Sequence, residues 1–192
     1  MEDSQLISDV KRLAESLAKL PEPVVKPAFI VVSGLPGTGK SYFCTKLAGR
    51  LHFVVLESDA LRKALFPSPS YSPEESARLF RALHRLIEEL LRKGVSLILD
   101  ATNLSERNRE RLYNIAERLE AKLVLVRVEA PPEVVYARLK ARVGGAGNSD
   151  ADWSVYQKMK PTVERIRRNH YAVDTSRDIT PVLDKIIREV KR

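Results

Sequence analysis

Gly34-Leu35-Pro36-Gly37-Thr38-Gly39-Lys40-Ser41 is the stretch that decides the fold. It matches G-x-x-x-x-G-K-[ST], a glycine-rich turn that joins a buried strand to the start of a helix. Its flanks agree with that context. Residues 29–32 are an apolar run of strand length, and residues 39–51 read as a helix. Glycine lets backbone N–H groups turn inward and approach a phosphate with no Cβ in the way. The helix N-terminus adds a favourable dipole. Lys40 is then expected to reach the β- and γ-phosphates of ATP, and Ser41 to ligate Mg²⁺. Thr45, four residues past Ser41, joins the loop in the nucleotide-binding set. A glycine-rich turn arising by chance would not explain strand, loop and helix together.

Outward from this loop, apolar strand-length runs alternate with helical stretches. The runs cover 28–32, 53–56, 95–99, 122–128 and 171–173. The helices are expected near 39–51, 73–93, 105–120, 132–142 and 181–191. Ser72, Pro73 and Glu75 spell a capping box for the second of these, and Gly94 closes it. Thr180 and Pro181 open the last. Such alternation predicts an α/β fold, a parallel sheet with helices on both faces.

Two acids follow strands. Asp100 ends the 95–99 run and is expected to support Mg²⁺, mostly through water; the alternative is an acid that starts a turn. Asp59 follows the 53–56 run. A carboxylate there would face the γ-phosphate and could take a proton from an attacking hydroxyl. The alternative makes Asp59 the cap of a short helix over 60–66. Arg62 lies one helical turn on and could hold an anionic group of the acceptor as a bidentate fork.

Further along, Arg138 and Arg142 sit at i and i+4 of one helix, so they face the same way. Gly144-Gly145-Ala146-Gly147 follows as a hinge. Residues 132–160 are therefore expected to form a lid whose arginines close over ATP and offset charge on the transferred phosphoryl. The alternative is an exposed pair near a helix C-terminus. Trp153, Tyr156 and Tyr171 are expected to pack in a core rather than stack on a base. His52, His84 and His170 lack metal-binding spacing.

Residues 1–27 form a separate unit before the domain over 28–192. Leu6, Val10, Leu13, Leu17 and Leu20 make one apolar stripe on a helix over 4–20, which is expected to dock on the main domain. Pro21, Pro23 and Pro27 give a stiff linker. The composition, 44% hydrophobic and 30% charged, excludes a disordered chain. No apolar run approaches the roughly 20 residues that span a bilayer, and the acidic N-terminus has no signal core, so export is not expected. A single cysteine, Cys44, allows no internal disulfide, which fits the cytoplasm. The net charge of +8 is uneven. Residues 138–168 hold eight Lys/Arg against three Asp/Glu, a net of +5 that a polyanionic ligand or a solvated surface would explain.

The order GLPGTGKS, SDALR, LILDATNLSERNR, a basic helix and VDTS resembles the small P-loop kinases that phosphorylate hydroxyls. These include polynucleotide 5′-hydroxyl kinases, zeta toxins and chloramphenicol phosphotransferase. The resemblance runs from Phe29 to Ser176 and is strongest to the polynucleotide kinases. It implies a nucleoside-kinase-like P-loop NTPase fold, with five parallel strands in the order 2-3-1-4-5. It implies Asp59 as general base, Arg62 on the phosphate 3′ of the accepting nucleotide, and Thr102 and Asn103 on the acceptor side. It further implies Arg142 as the catalytic lid arginine and Asp174, Thr175 and Ser176 beside the adenine. Ala101, between Asp100 and Thr102, departs from the family spacing. The expected activity is Mg-ATP-dependent phosphoryl transfer to a nucleic-acid 5′-hydroxyl, or else to a sugar, nucleoside or antibiotic. A non-enzymatic ATP-dependent switch is the remaining alternative, and an acceptor-side acid such as Asp59 argues against it.

Overall fold

The computed structural model describes residues 2–142 and 150–192. Five parallel strands form one sheet: β1 (Ala28–Ser33), β2 (Val54–Glu57), β3 (Leu97–Asp100), β4 (Lys122–Glu129) and β5 (Tyr171–Asp174). Their order across the sheet is β2-β3-β1-β4-β5, as the resemblance implies. Because side chains alternate along a strand, β1 serves two cores at once. Phe29 and Val31 face one core and Ile30 and Val32 the other. Leu97 and Leu99 repeat the first set, and Ile98 the second.

Helices cover both faces. On one lie α1 (Glu2–Glu15), α3 (Ser58–Leu65), α4 (Pro73–Arg92) and α5 (Glu106–Arg118). On the other lie α2 (Lys40–Leu51) and α8 (Thr180–Val190). A smaller third cluster joins α6 (Pro132–Ala141) to α7 (Trp153–Met159) through Val135, Leu139 and Tyr156. A short 3₁₀ turn, Lys160–Thr162, follows α7. The glycine run at 144–147 lies outside the described residues.

Several local expectations shift for identifiable reasons. The N-terminal helix stops at Glu15 rather than residue 20, and the Ser16 hydroxyl donates to the Leu13 carbonyl at 2.7 Å. Val10 and Leu13 are buried in the same core as the sheet, and Arg78 of α4 forks onto the buried Asp9 with two 2.7 Å bonds. Ser72 caps α4 as expected, accepting from the Glu75 N–H at 3.1 Å. Glu75 does not complete the reciprocal box, because its carboxylate accepts from the Ser70 and Tyr71 N–H groups and from Arg62. Thr180 is the first residue of α8 rather than its cap, and Asp178 accepts its N–H at 3.0 Å. Among the described residues, no helix is long and apolar enough to cross a membrane.

Candidate active site

Parallel register brings the chemistry to one edge. Val32 pairs with Asp100, and Asp100 pairs with Glu57, so the C-terminal ends of β1, β3 and β2 lie level. The glycine-rich loop leaves β1 there, and α3 starts directly after Glu57. Crevices outside the carboxyl ends of parallel strands are where α/β sheets bind ligands.

Inside the loop, Lys40 Nζ donates to the Leu35 carbonyl at 3.1 Å, and the Thr38 hydroxyl donates to the same oxygen at 2.7 Å. Ser41 Oγ donates to Asp100 Oδ2 at 2.6 Å. Burial pushes the Lys40 ammonium below its ordinary range, opposed by Asp100 and Asp59, while Arg142 lowers it further. Burial pushes the Asp100 carboxyl up, opposed by Lys40 and by the Ser41 bond. Each charge is thus partly stabilised by the other. Cys44 is buried close by, and its thiol is pushed far above the range in which a thiolate could act.

The glycines matter for packing as well as for phosphate access. Gly37 has φ 77°, and a Cβ on it would come within 2.8 Å of Leu139 on α6. Gly39 has φ 90°, and its Cβ would meet the Thr175 hydroxyl at 2.9 Å. The loop therefore sits tight against α6 and the end of β5. Arg138 reinforces that contact, reaching the Thr175 hydroxyl at 2.8 Å and its carbonyl at 3.0 Å. Thr175 in turn donates to the Thr38 carbonyl at 2.5 Å. Arg138 braces the outside of the loop.

A cavity of about 600 Å³ opens over this edge. Lys40, Ser41, Asp59, Arg62, Asp100 and Arg142 all line it, as do Pro36, Gly37, Gly39 and Thr102. Asp59 lies in the first turn of α3, two residues past its cap, Glu57. Other expected residues lie apart from the cavity lining. Gly34 is held by its N–H to the Thr102 carbonyl at 3.0 Å. Leu35 packs against the α6–α7 cluster, and Thr45 is exposed on α2. Asn103 is buried with φ 47°, and its amide donates to the Val32 carbonyl at 3.0 Å, so it fixes the end of β1 rather than facing an acceptor. Asp174 Oδ1 accepts from the Ser176 N–H and hydroxyl, a self-contained turn at the sheet edge.

Sequence reasoning missed part of the cavity lining. Tyr71, Ser76, Phe80, Val155, Lys158 and Met159 line the cavity as well. They come from α4, α7 and the segment before α4, and no local motif unites them. Arg62 also has a partner the sequence did not signal: a buried 2.5 Å ion pair with Glu75, 13 residues away. Burial opposes a charged Glu75, but bonds from the Ser70 N–H, Arg62, the Ser70 hydroxyl and the Tyr71 N–H hold its carboxyl at about 2.

Two cations of the basic C-terminal region are paired with acids of α5. Arg168 bonds Glu110 at 2.8 Å and also Glu117, and Arg167 reaches Glu106 at 3.4 Å. Of the eight cations in 138–168, Arg142 and Lys158 line the cavity.

Trp153 stacks on Tyr156 at 4.8 Å and meets Tyr136 edge-on at 5.1 Å, which is core packing. The Tyr171 hydroxyl bonds Glu189. Among the described residues, no cluster of three or more His, Cys, Asp or Glu could hold a metal ion.

Known proteins share this architecture. The chain is 31% identical over 114 residues to the L-seryl-tRNA(Sec) kinase of Methanococcus maripaludis, covering 57% of this chain and 44% of the relative. The chain thus spans under half the length of that curated relative. Two solved structures share the fold at low identity. One is Chaetomium thermophilum Kti12 in complex with ADP-AlF3, with TM-score 0.68, 20% identity, and coverage of 84% of this chain and 98% of that one. The other is the Mycobacterium tuberculosis APS kinase in complex with AMPPNP and APS, with TM-score 0.63, 19% identity, and coverage of 87% and 99%. The AAA domain family model, AAA_33, matches residues 29–166, and the chain belongs to that family of P-loop kinase-like proteins.

Proposed function

We propose that this protein is an ATP-dependent kinase that transfers the γ-phosphate to a hydroxyl acceptor. The observation that carries the reading is the meeting of Lys40, the Ser41–Asp100 pair and Asp59 in one cavity. In the transfer, the acceptor oxygen bonds to the γ-phosphorus and the bond from that phosphorus to the β,γ-bridging oxygen breaks. The hydroxyl proton passes to the Asp59 carboxylate, and ADP leaves. Lys40 and Arg142 offset the charge on the phosphate oxygens, with the loop N–H groups cradling them. Asp174, Thr175 and Ser176 border the adenine.

The donor set suits a hard divalent cation. Ser41 and Asp100 present two oxygens 2.6 Å apart, one on a carboxylate that burial leaves short of solvation. Mg²⁺ typically takes one or two protein oxygens and completes its shell with water and phosphate. Bound there, it would supply charge neutralisation to the β- and γ-phosphates.

Of the two acceptor classes, the geometry favours a small-molecule hydroxyl. Arg62, expected on an acceptor phosphate, is neutralised by Glu75, and Arg167 and Arg168 are paired with acids of α5. A nucleic-acid-borne hydroxyl is the second reading. The likeness to a seryl-tRNA kinase and the net charge of +8 support it. The test is incubation with γ-labelled ATP and Mg²⁺ against 5′-hydroxyl oligonucleotides, seryl-tRNA and small alcohols. Label on a small alcohol supports the first reading and label on RNA or DNA the second. Hydrolysis with no labelled acceptor supports the switch instead.

A further inference from the structure

Tyr71 is a cavity residue that the phosphate chemistry leaves unexplained. It has φ 56°, in the left-handed region that a bulky side chain seldom adopts. Residues held in such conformations cluster at functional sites. Three contacts fix this one. Its N–H donates to Glu75 at 3.3 Å, and its hydroxyl donates to Asp150 at 2.7 Å. The Arg62 guanidinium carbon lies over the ring, 4.8 Å from its centroid. These partners come from α4, the segment before α7, and α3, so the ring cannot turn without breaking contacts to three parts of the chain. The Tyr71 bond is also the main cause that holds the Asp150 carboxyl below its ordinary range, which keeps that acceptor ionised.

Tyr71 is nevertheless 45% exposed and lines the cavity, so a ligand reaches it. A ring that is backed by a cation and locked in place offers a second ring a flat surface with little conformational entropy left to lose. Phe80, Val155 and Met159 line the same cavity, and Val155 and Met159 share one side of α7 at i and i+4. They give a flat apolar group further surface to bury. Burial, then Asp150 and Asp59, push the Tyr71 phenol far above its ordinary range, so the Asp59 carboxylate is close enough to act on it. Among the described residues, the cavity lining leaves out Asp174, Thr175 and Ser176, which border the adenine in the reading above. A ring stacked on Tyr71 therefore belongs to the acceptor and not to ATP.

We infer that Tyr71 is a stacking platform of the acceptor subsite, and that the acceptor carries a planar aromatic or heteroaromatic ring on the molecule that bears the reacting hydroxyl. This rests on the kinase reading for which part of the cavity the acceptor fills.

The experiment measures binding, so it does not depend on turnover. Protein saturated with a non-hydrolysable ATP analogue and Mg²⁺ is titrated calorimetrically with two matched pairs of alcohols. They are thymidine with 5,6-dihydrothymidine, and 2-phenylethanol with 2-cyclohexylethanol. Each pair keeps the hydroxyls and the approximate size and differs in the flatness of the ring. The planar member should bind about threefold or more tighter in both pairs, the margin of ring stacking over equal apolar burial. Tyr71→Phe keeps the ring and should keep that margin. Tyr71→Leu should lose it, with about a fivefold or greater drop for the planar members and little change for the saturated ones. Should Tyr71→Leu fold poorly by circular dichroism, the margin in wild type and in Tyr71→Phe decides. Equal or weaker binding of the planar member in either pair overturns the inference. So does no binding of any of the four, binding only when the ATP analogue is absent, or a margin that survives in folded Tyr71→Leu. A planar margin with no label passed from ATP to any of these alcohols would sink the kinase reading and leave the platform standing. Label passed to planar and saturated alcohols alike, with no margin in binding, would do the opposite.

Discussion

Arg62 and Glu75 meet in a buried 2.5 Å ion pair that ties α3 to α4 beside the cavity. The folded Glu75 carboxyl sits at about 2, below its ordinary 4.5, because its bonds outweigh burial. A carboxyl lowered by folding stabilises the fold fully above its unfolded value and loses that contribution as pH falls through the folded value. Wild type should therefore exceed Glu75→Gln in unfolding midpoint at neutral pH. The gap should close between about pH 4.5 and 2. Urea unfolding of both proteins across that range tests it, and a constant gap would show that Glu75 does not carry the effect.

This pair also marks the limit of what the sequence made legible. The glycine-rich loop and the strands were readable because each depends on local signals, a spaced motif and β-branched runs, whereas the strand order came only with the family resemblance. Helix α3 was misplaced because β2 runs into it at Glu57 and Ser58 with no glycine or proline between them. Helix α7 was missed because it is short, held by Asp152 accepting the Val155 N–H at 2.9 Å and by Tyr156 packing. Glu75 fitted a capping box so well that its long-range partner was invisible. Asn103 misled for a similar reason, since a motif position does not say which way an amide points.

Arg109 should prove the most sensitive position outside the cavity. It is almost wholly buried and donates to four carbonyls, those of Asn103, Leu104, Glu164 and Arg165, at 2.7–3.0 Å. These bonds tie the loop after β3 to the segment after the 3₁₀ turn. Arg109→Met would remove this donor from the Asn103, Glu164 and Arg165 carbonyls, at about 1–3 kcal/mol each before relaxation, while the Leu104 carbonyl keeps the Glu164 N–H, so a net loss of roughly 3 kcal/mol is expected. Chemical denaturation measures this directly. A change within experimental scatter would mean that water replaces the guanidinium.

Lys40→Ala should abolish phosphoryl transfer while keeping the fold. Its one protein bond is to the Leu35 carbonyl within the loop, and burial already disfavours its charge. Circular dichroism and a labelled-ATP assay separate the two effects. Full activity in the folded variant would refute the assignment of the phosphate site.

Salt dependence distinguishes the acceptor classes without knowledge of the acceptor's identity. Single-stranded nucleic acid loses affinity with a log–log slope of about 0.7 per phosphate contacted. Arg62, Arg167 and Arg168 are paired to acids, and Arg142 and Lys158 are the cations of the basic region that line the cavity, so a shallow slope is expected for oligonucleotides bound there. Tight oligonucleotide binding that falls steeply across a salt series would restore the nucleic-acid reading.

Asp59→Asn isolates the proton-accepting role. The side chain lies in the first turn of α3, where no capping bond depends on it and a carboxylate gains about 0.3–1 kcal/mol from the helix dipole. Asn keeps the size and polarity and forfeits only the charge and basicity. Stability should therefore change by no more than that small amount. Turnover should fall 10²–10⁴-fold, the usual consequence of losing a general base, or roughly 3–5 kcal/mol of barrier. Affinity for ATP should hold, since the loop and Lys40 grip the phosphates. The loss should fall on the rate at saturating acceptor rather than on acceptor binding, because the carboxylate acts when the hydroxyl gives up its proton. Turnover within about threefold of wild type, far short of that loss, would mean that the proton leaves by another route, to phosphate or to water. Asp59 would then be an acid that shapes the potential around Lys40, and the case for a kinase would rest on the loop and the Ser41–Asp100 pair alone.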